Sequence, residues 1–160
     1  MNKKDKVAIA LQYARELIQS TGLDGWSVWS NDSYSTLAAT YFGVNRIVFS
    51  KRYISIATKE DFRKTVFHEI AHAKLGYDVG HNKDFVKLCR ELTPGEPYDE
   101  YCAYAPIHRY NLYCNVCGDS GQTNKTVKVF CESCPKNGRG VQEYTKIKND
   151  LCVVEWASTQ

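Results

Sequence analysis

The sequence has no apolar run near the ~20 residues that a membrane-spanning helix needs, so no such span is expected. The basic start, Met1-Asn2-Lys3-Lys4-Asp5-Lys6, is not followed by the continuous apolar stretch of a secretory signal peptide, and a cytoplasmic location is expected. Charge of neither sign is in excess: the formal net charge of +3 is too small to identify nucleic acid as a partner. Proline (4) and methionine (1) are scarce and tyrosine (11) is plentiful, in a composition otherwise ordinary for a soluble globular protein. Seven cysteines is an odd number, which argues against a complete disulfide framework. At 160 residues the chain makes one domain, or one domain with a small appendage, and can bury a proper core. No feature fixes an oligomeric state, and a monomer is the working expectation.

What is present is organised around Phe67-His68-Glu69-Ile70-Ala71-His72-Ala73, which contains H-E-x-x-H. On a helix, His68 and His72 lie about 40° apart around the axis and one turn apart along it. Two imidazoles so placed can hold one Zn²⁺, and Glu69 can take a proton from a water that the metal activates. Further on comes Gly80-His81-Asn82-Lys83-Asp84-Phe85, and a return loop could bring His81 over the first two imidazoles. Catalytic zinc uses three protein ligands and keeps the fourth position open. The alternatives are that His81 is an exposed residue at a helix start, or that Asp78, Glu91 or His108 is the third ligand.

The remaining pattern is that of an α+β protein. Val7, Ala10, Leu11, Ala14, Leu17 and Ile18 form a helical stripe over Lys6–Ser20. Short strands are expected over Trp26–Trp29, Leu37–Phe42 and Arg46–Phe49, with turns at Asn31-Asp32-Ser33 and Gly43-Val44-Asn45. Thr58 is a candidate N-cap for the central helix, with Asp61 three positions on and Gly76 as the stop. Phe62, Val66, Ile70 and Ala73 give that helix a core face, and His68 and His72 project from nearly the opposite side. A second helix carries Phe85, Leu88, Cys89 and Leu92 and closes at Thr93-Pro94-Gly95. Tyr98, Tyr101 and Tyr104 in the loop that follows could assist an oxyanion, although packing is the commoner role of such residues.

Two C-x-x-C pairs, Cys114/Cys117 and Cys131/Cys134, stand thirteen residues apart. Each can offer two thiolates from a tight knuckle, giving a closed four-cysteine site for structural zinc. Redox-active dithiols would want a C-x-x-C at a helix start in a βαβ setting, which is absent. Cys89, Cys102 and Cys152 have no partners at ligand spacing and read as free thiols. Val141–Trp156 contains strand-like stretches, such as Cys152-Val153-Val154, that could extend the ribbon sheet. From Pro106 onward seven Lys or Arg stand against five Asp or Glu. Lys125, Lys128, Lys136 and Arg139 with Tyr113 and Phe130 are compatible with single-stranded DNA and equally with a solvated surface.

In this order the motifs resemble the SprT-like family of Spartan-type zinc metalloproteases, over roughly residues 5 to 135. The resemblance rests on the leading helix, the tryptophan-bearing strands, Val66–Ala73 with its H-E-x-x-H, Gly80-His81-x-x-x-Phe85 and the C-terminal cysteine pairs. It implies a zincin-like core over residues 1–105, with helices packed on a small antiparallel sheet, and a small β zinc ribbon over 106–160. It further implies one catalytic zinc on His68, His72 and His81, Glu69 as the catalytic acid/base, and one structural zinc on Cys114, Cys117, Cys131 and Cys134. The implied activity is cleavage of a protein substrate associated with or crosslinked to DNA, with single-stranded or damaged DNA as a further partner, as in DNA–protein crosslink repair. Two rivals fit the same residues. One is a non-enzymatic DNA-binding ribbon with a structural H-E-x-x-H site. The other is a peptidase of the kind that cleaves phage repressors, in which a third histidine commonly stands where this chain has Gly76.

Overall fold

Lys6, Ala10, Ala14 and Ile18 recur every four residues along α1 (Lys3–Ser20), and all four are buried. Asn2 caps the helix by accepting from the Asp5 N–H. In this computed structural model, residues 2–96, 107–149 and 153–156 are described. The chain forms two compact units, Met1–Ala105 with Cys152–Gln160, and Pro106–Leu151.

In the first unit α1 lies against β1 (Ser27–Asn31), α2 (Lys51–Ile56) and α3 (Lys59–Leu75). The sheet has the order β1-β3-β2, with β2 at Ala38–Tyr41 and β3 at Arg46–Ser50. β2 and β3 form the expected antiparallel pair, turned by a short 3-10 segment at Phe42–Val44 and by Asn45 in the left-handed region. β1 instead pairs with β3 in parallel, so the sheet is mixed where an antiparallel one was expected. β3 takes the centre because it carries the buried Ile47, Phe49 and Ser50. A strand docking on its free side runs in the direction that the β1–β2 connection allows.

α3 is capped as its sequence suggests: Thr58 Oγ1 accepts from the Asp61 N–H at 3.1 Å and donates to Asp61 Oδ2 at 2.6 Å. Gly76, at φ +96°, ends the helix in a conformation that a side chain would resist. Phe62, Val66 and Ile70 are fully buried, with the Phe62 ring 5.0 Å from Phe49. Burial also extends round the helix to Phe67, Glu69 and Ala71, and Ala71 packs on Phe85 and Cys89 of α4 (Lys83–Leu92). α3 is thus wrapped on two sides, which a single apolar stripe did not convey.

α2 was not anticipated. Ser50 caps it by accepting from the Tyr53 N–H. Its last carbonyls are met by Lys6, whose Nζ donates to Ser55 O at 3.0 Å and Ala57 O at 2.7 Å. The chain's final described stretch returns to the same place. Val154 N–H donates to Ser55 O, Trp156 Nε1 donates to Ala57 O, and the Trp156 ring lies 5.5 Å from Phe62. Val153 and Val154 therefore do not extend the ribbon sheet; the indole beside them finds its apolar contacts in the first unit. Cys102, Cys152 and the three loop tyrosines lie outside the described residues.

The second unit is a small antiparallel sheet of order β5-β4-β6, formed by Tyr110–Tyr113 (β4), Ser120–Thr123 (β5) and Thr145–Lys148 (β6). A four-residue helix α5, Ser133–Lys136, follows Cys131. The strands carry one fully inward apolar side chain, Leu112, beside a cluster of buried cysteines.

Candidate metal centre and its carboxylate

His68 and His72 project from successive turns of α3, their ring centroids 4.9 Å apart. The loop after Gly76 brings back His81, which sits just before Asn82, the N-cap of α4, whose Oδ1 accepts from the Phe85 N–H at 3.0 Å. His81 Nε2 ends 3.1 Å from His68 Nε2 and 3.2 Å from His72 Nε2. Nitrogens around one tetrahedral zinc at ~2.05 Å would be about 3.3 Å apart. A single proton cannot serve three nitrogens that face one point, whereas one cation can. The donor set therefore fits a metal ion.

Phe85 is the floor of this arrangement. Fully buried, its ring lies 4.9, 4.5 and 4.8 Å from the rings of His68, His72 and His81. A hydrogen bond with the Val79 backbone further orients His72. Burial, with the neighbouring imidazoles adding to it, pushes His68 down to about 4, and the same causes lower His72. Both rings are then neutral at pH 7 and offer lone pairs, as ligation requires.

Glu69 is 6% exposed. Burial pushes its carboxyl up to about 7, against the opposing pull of a hydrogen bond from Thr40. Thr40, on β2, donates through Oγ1 to Glu69 Oε2 at 2.6 Å. A carboxyl brought near neutral pH can both take and return a proton. An open groove along α4 is lined by His81, Asn82, Lys83, Val86, Lys87, Arg90 and Glu91.

Residues 8–109, well over half of the chain, match the SprT-like family. The chain belongs to the SprT-like family. No curated protein matches it. Membership implies a zincin-like metal site in the first unit, and the three-histidine cluster lies within the matched segment.

The cysteine cluster lies beyond that segment. Cys114, Cys117, Cys131 and Cys134 come together as unpaired thiols, with Sγ···Sγ separations of 3.6 Å (Cys114–Cys134) and 3.5 Å (Cys117–Cys131). Those distances exceed a disulfide's by far and approach the ~3.8 Å expected around one tetrahedral zinc. The Cys117 N–H hydrogen-bonds to Cys114 and holds its thiol at about 7, below the usual range. Gly118 (φ +76°) supplies the knuckle's left-handed turn.

Three residues of these two sites escaped the sequence reading in their roles: Thr40, Phe85 as the common floor, and Asp119. The Asp119 carboxylate accepts from Ser133 Oγ and Tyr144 OH, both at 2.8 Å, and so ties the two cysteine knuckles together. The spacing of Phe85 from His81 was visible; nothing local marks Thr40 or Asp119. Asp78, Glu91 and His108 stand in neither cluster. No helix among the described residues is long and apolar enough to cross a membrane.

Proposed function

We propose that this SprT-like protein is a zinc-dependent metalloendopeptidase acting on DNA-associated or DNA-crosslinked proteins, with Glu69 as catalytic acid/base. The observation that carries the peptidase reading is the convergence of His81 Nε2, at 3.1 and 3.2 Å, on the Nε2 atoms of His68 and His72, the two histidines of an H-E-x-x-H helix whose glutamate is buried. His68, His72 and His81 would hold the catalytic zinc; Cys114, Cys117, Cys131 and Cys134 would hold a structural one. A zinc held by these histidines would supply a Lewis acid for the scissile carbonyl and would make a water more acidic. Glu69 would accept a proton from the attacking water and return it to the leaving amine.

Family resemblance supports the choice of substrate, and the ribbon's surface is consistent with it. Tyr113 and Phe130 are 46% and 49% exposed, near in sequence to Lys125, Lys128, Lys136 and Arg139, and such mixtures suit single-stranded nucleic acid. Reduced, metal-ready thiols suit a reducing compartment such as the cytoplasm.

The test is to incubate wild type and Glu69→Gln with a DNA-bound protein, with and without single-stranded DNA, and to count bound metal. Fragments are expected from wild type alone, in larger amount with DNA, at equal zinc content in both proteins. Cleavage undiminished in Glu69→Gln would remove Glu69 from the mechanism. No cleavage by a zinc-replete wild type would leave a non-enzymatic DNA-binding ribbon.

A further inference from the structure

Glu69 and Thr40 meet from two different elements. Thr40 lies opposite Ile47 in the β2–β3 register, and Ile47 is fully buried in the sheet. Glu69 rides on α3 between the fully buried Val66 and Ile70. Neither backbone is free to drift. The Thr40 hydroxyl has one proton and two acceptors within reach, Glu69 Oε2 at 2.6 Å and the Glu69 main-chain oxygen at 3.3 Å. The shorter contact, to the group that carries charge, takes the proton. Oε1 accepts no hydrogen bond from any other described residue.

We propose that Thr40 is a positioning residue for the peptidase reaction: it anchors Oε2 of Glu69 and leaves Oε1 as the oxygen that takes the proton and returns it. The assignment rests on Glu69 being the acid/base. A glutamate side chain has three free torsions, and the 2.6 Å hydrogen bond from Thr40 holds its carboxylate in one placement. The hydroxyl selects that placement before substrate arrives, so the work of alignment is not left to the chemical step. Proton balance is simple. The proton leaves water for Oε1 and departs from Oε1 to the amine, while the Thr40 hydroxyl keeps its own proton throughout.

A purely structural alternative exists, in which the same bond only fastens β2 to α3. The two roles separate in Thr40→Val, which keeps the β-branched shape suited to a strand and deletes the donor, and in Thr40→Ser, which keeps the donor. With a protein bound to single-stranded DNA as substrate, Thr40→Val is expected to lose about tenfold to a hundredfold in kcat. Its KM should stay within about twofold of wild type, because alignment rather than binding is lost. Zinc content and melting temperature should remain near wild type, and Thr40→Ser should recover most of kcat. A crystal structure of metal-free Thr40→Val supplies a second readout, in which the Glu69 carboxylate should leave its wild-type rotamer. The proposal is overturned if Thr40→Val keeps full kcat, if Thr40→Ser is as impaired as Thr40→Val, or if Glu69 holds its rotamer without the hydroxyl. Should wild type itself cleave nothing, the peptidase reading fails on its own account. The rotamer comparison then still decides whether Thr40 sets the carboxylate.

Discussion

Lys6 is the residue whose place departs furthest from its type. It is fully buried, its ammonium shared between Ser55 O and Ala57 O and lying 5.4 Å from the centroid of Trp156. A cation is well matched to carbonyls at a helix C-terminus, but removal from water outweighs this and brings its pKa down from 10.5 to about 8. Between these two values the unfolded chain binds more protons than the folded one, so stability rises with pH across that window. Below pH 8 both states are protonated and the burial penalty is constant. Urea midpoints measured from pH 7 to 10 should therefore climb more steeply in wild type than in Lys6→Met. Tyr13, whose hydroxyl burial raises above its ordinary 10, works in the opposite direction near and above that value, which is why the comparison ends there. Parallel curves for the two proteins would mean that Lys6 stays charged and solvated.

At the scale of elements, the three-histidine cluster depends on how α4 begins. Asn82 fixes the first turn, His81 precedes it, and Phe85 one turn on supports all three imidazoles. Asn82→Ala should cost about 1 kcal/mol of stability and loosen His81. Phe85→Ala should cost about 3–5 kcal/mol and weaken zinc retention at the histidine site by about 10- to 100-fold, read by chelator competition. Unchanged metal affinity in Phe85→Ala would show that the α3 and loop backbones alone hold the imidazoles. These elements were also the most legible in the sequence. Thr58, the H-E-x-x-H spacing, Gly76 and the Phe85–Leu92 pattern each act within one or two helical turns, and local chemistry is what a sequence displays. α2 spans only Lys51–Ile56, too short for any period to emerge. The parallel β1–β3 pairing depends on which strand the core places in the centre, and that is a long-range outcome. Thr40 meets Glu69 across 29 positions, and Lys6 meets Ala57 across 51; no window along the chain contains either pair.

The two units draw their stability from different sources, and this gives a prediction for the molecule as a whole. The first has a conventional core in which Ile18, Ile47, Phe49, Ile54, Phe62, Val66 and Ile70 are fully buried. In the second, the buried described residues are Ile107, Leu112 and three of the four clustered cysteines. A segment this short cannot fold on so little apolar area, and a metal held by the four thiols would take the place of a core. Asp119 strengthens the arrangement by joining Ser133 and Tyr144, a role that keeps its own carboxyl below the usual range through the hydrogen bonds from those two groups. Removing both metals with a strong chelator should therefore collapse the amide resonances of residues 107–149, while those of α1, α3 and the β1-β3-β2 sheet remain dispersed and melt cooperatively. Cys134→Ser should reproduce the collapse without chelator, and Asp119→Ala should lower the chelator concentration at which it occurs. Dispersed ribbon resonances in metal-free protein would mean that Leu112 and its few neighbours suffice, and that the four thiols are not what holds this unit together.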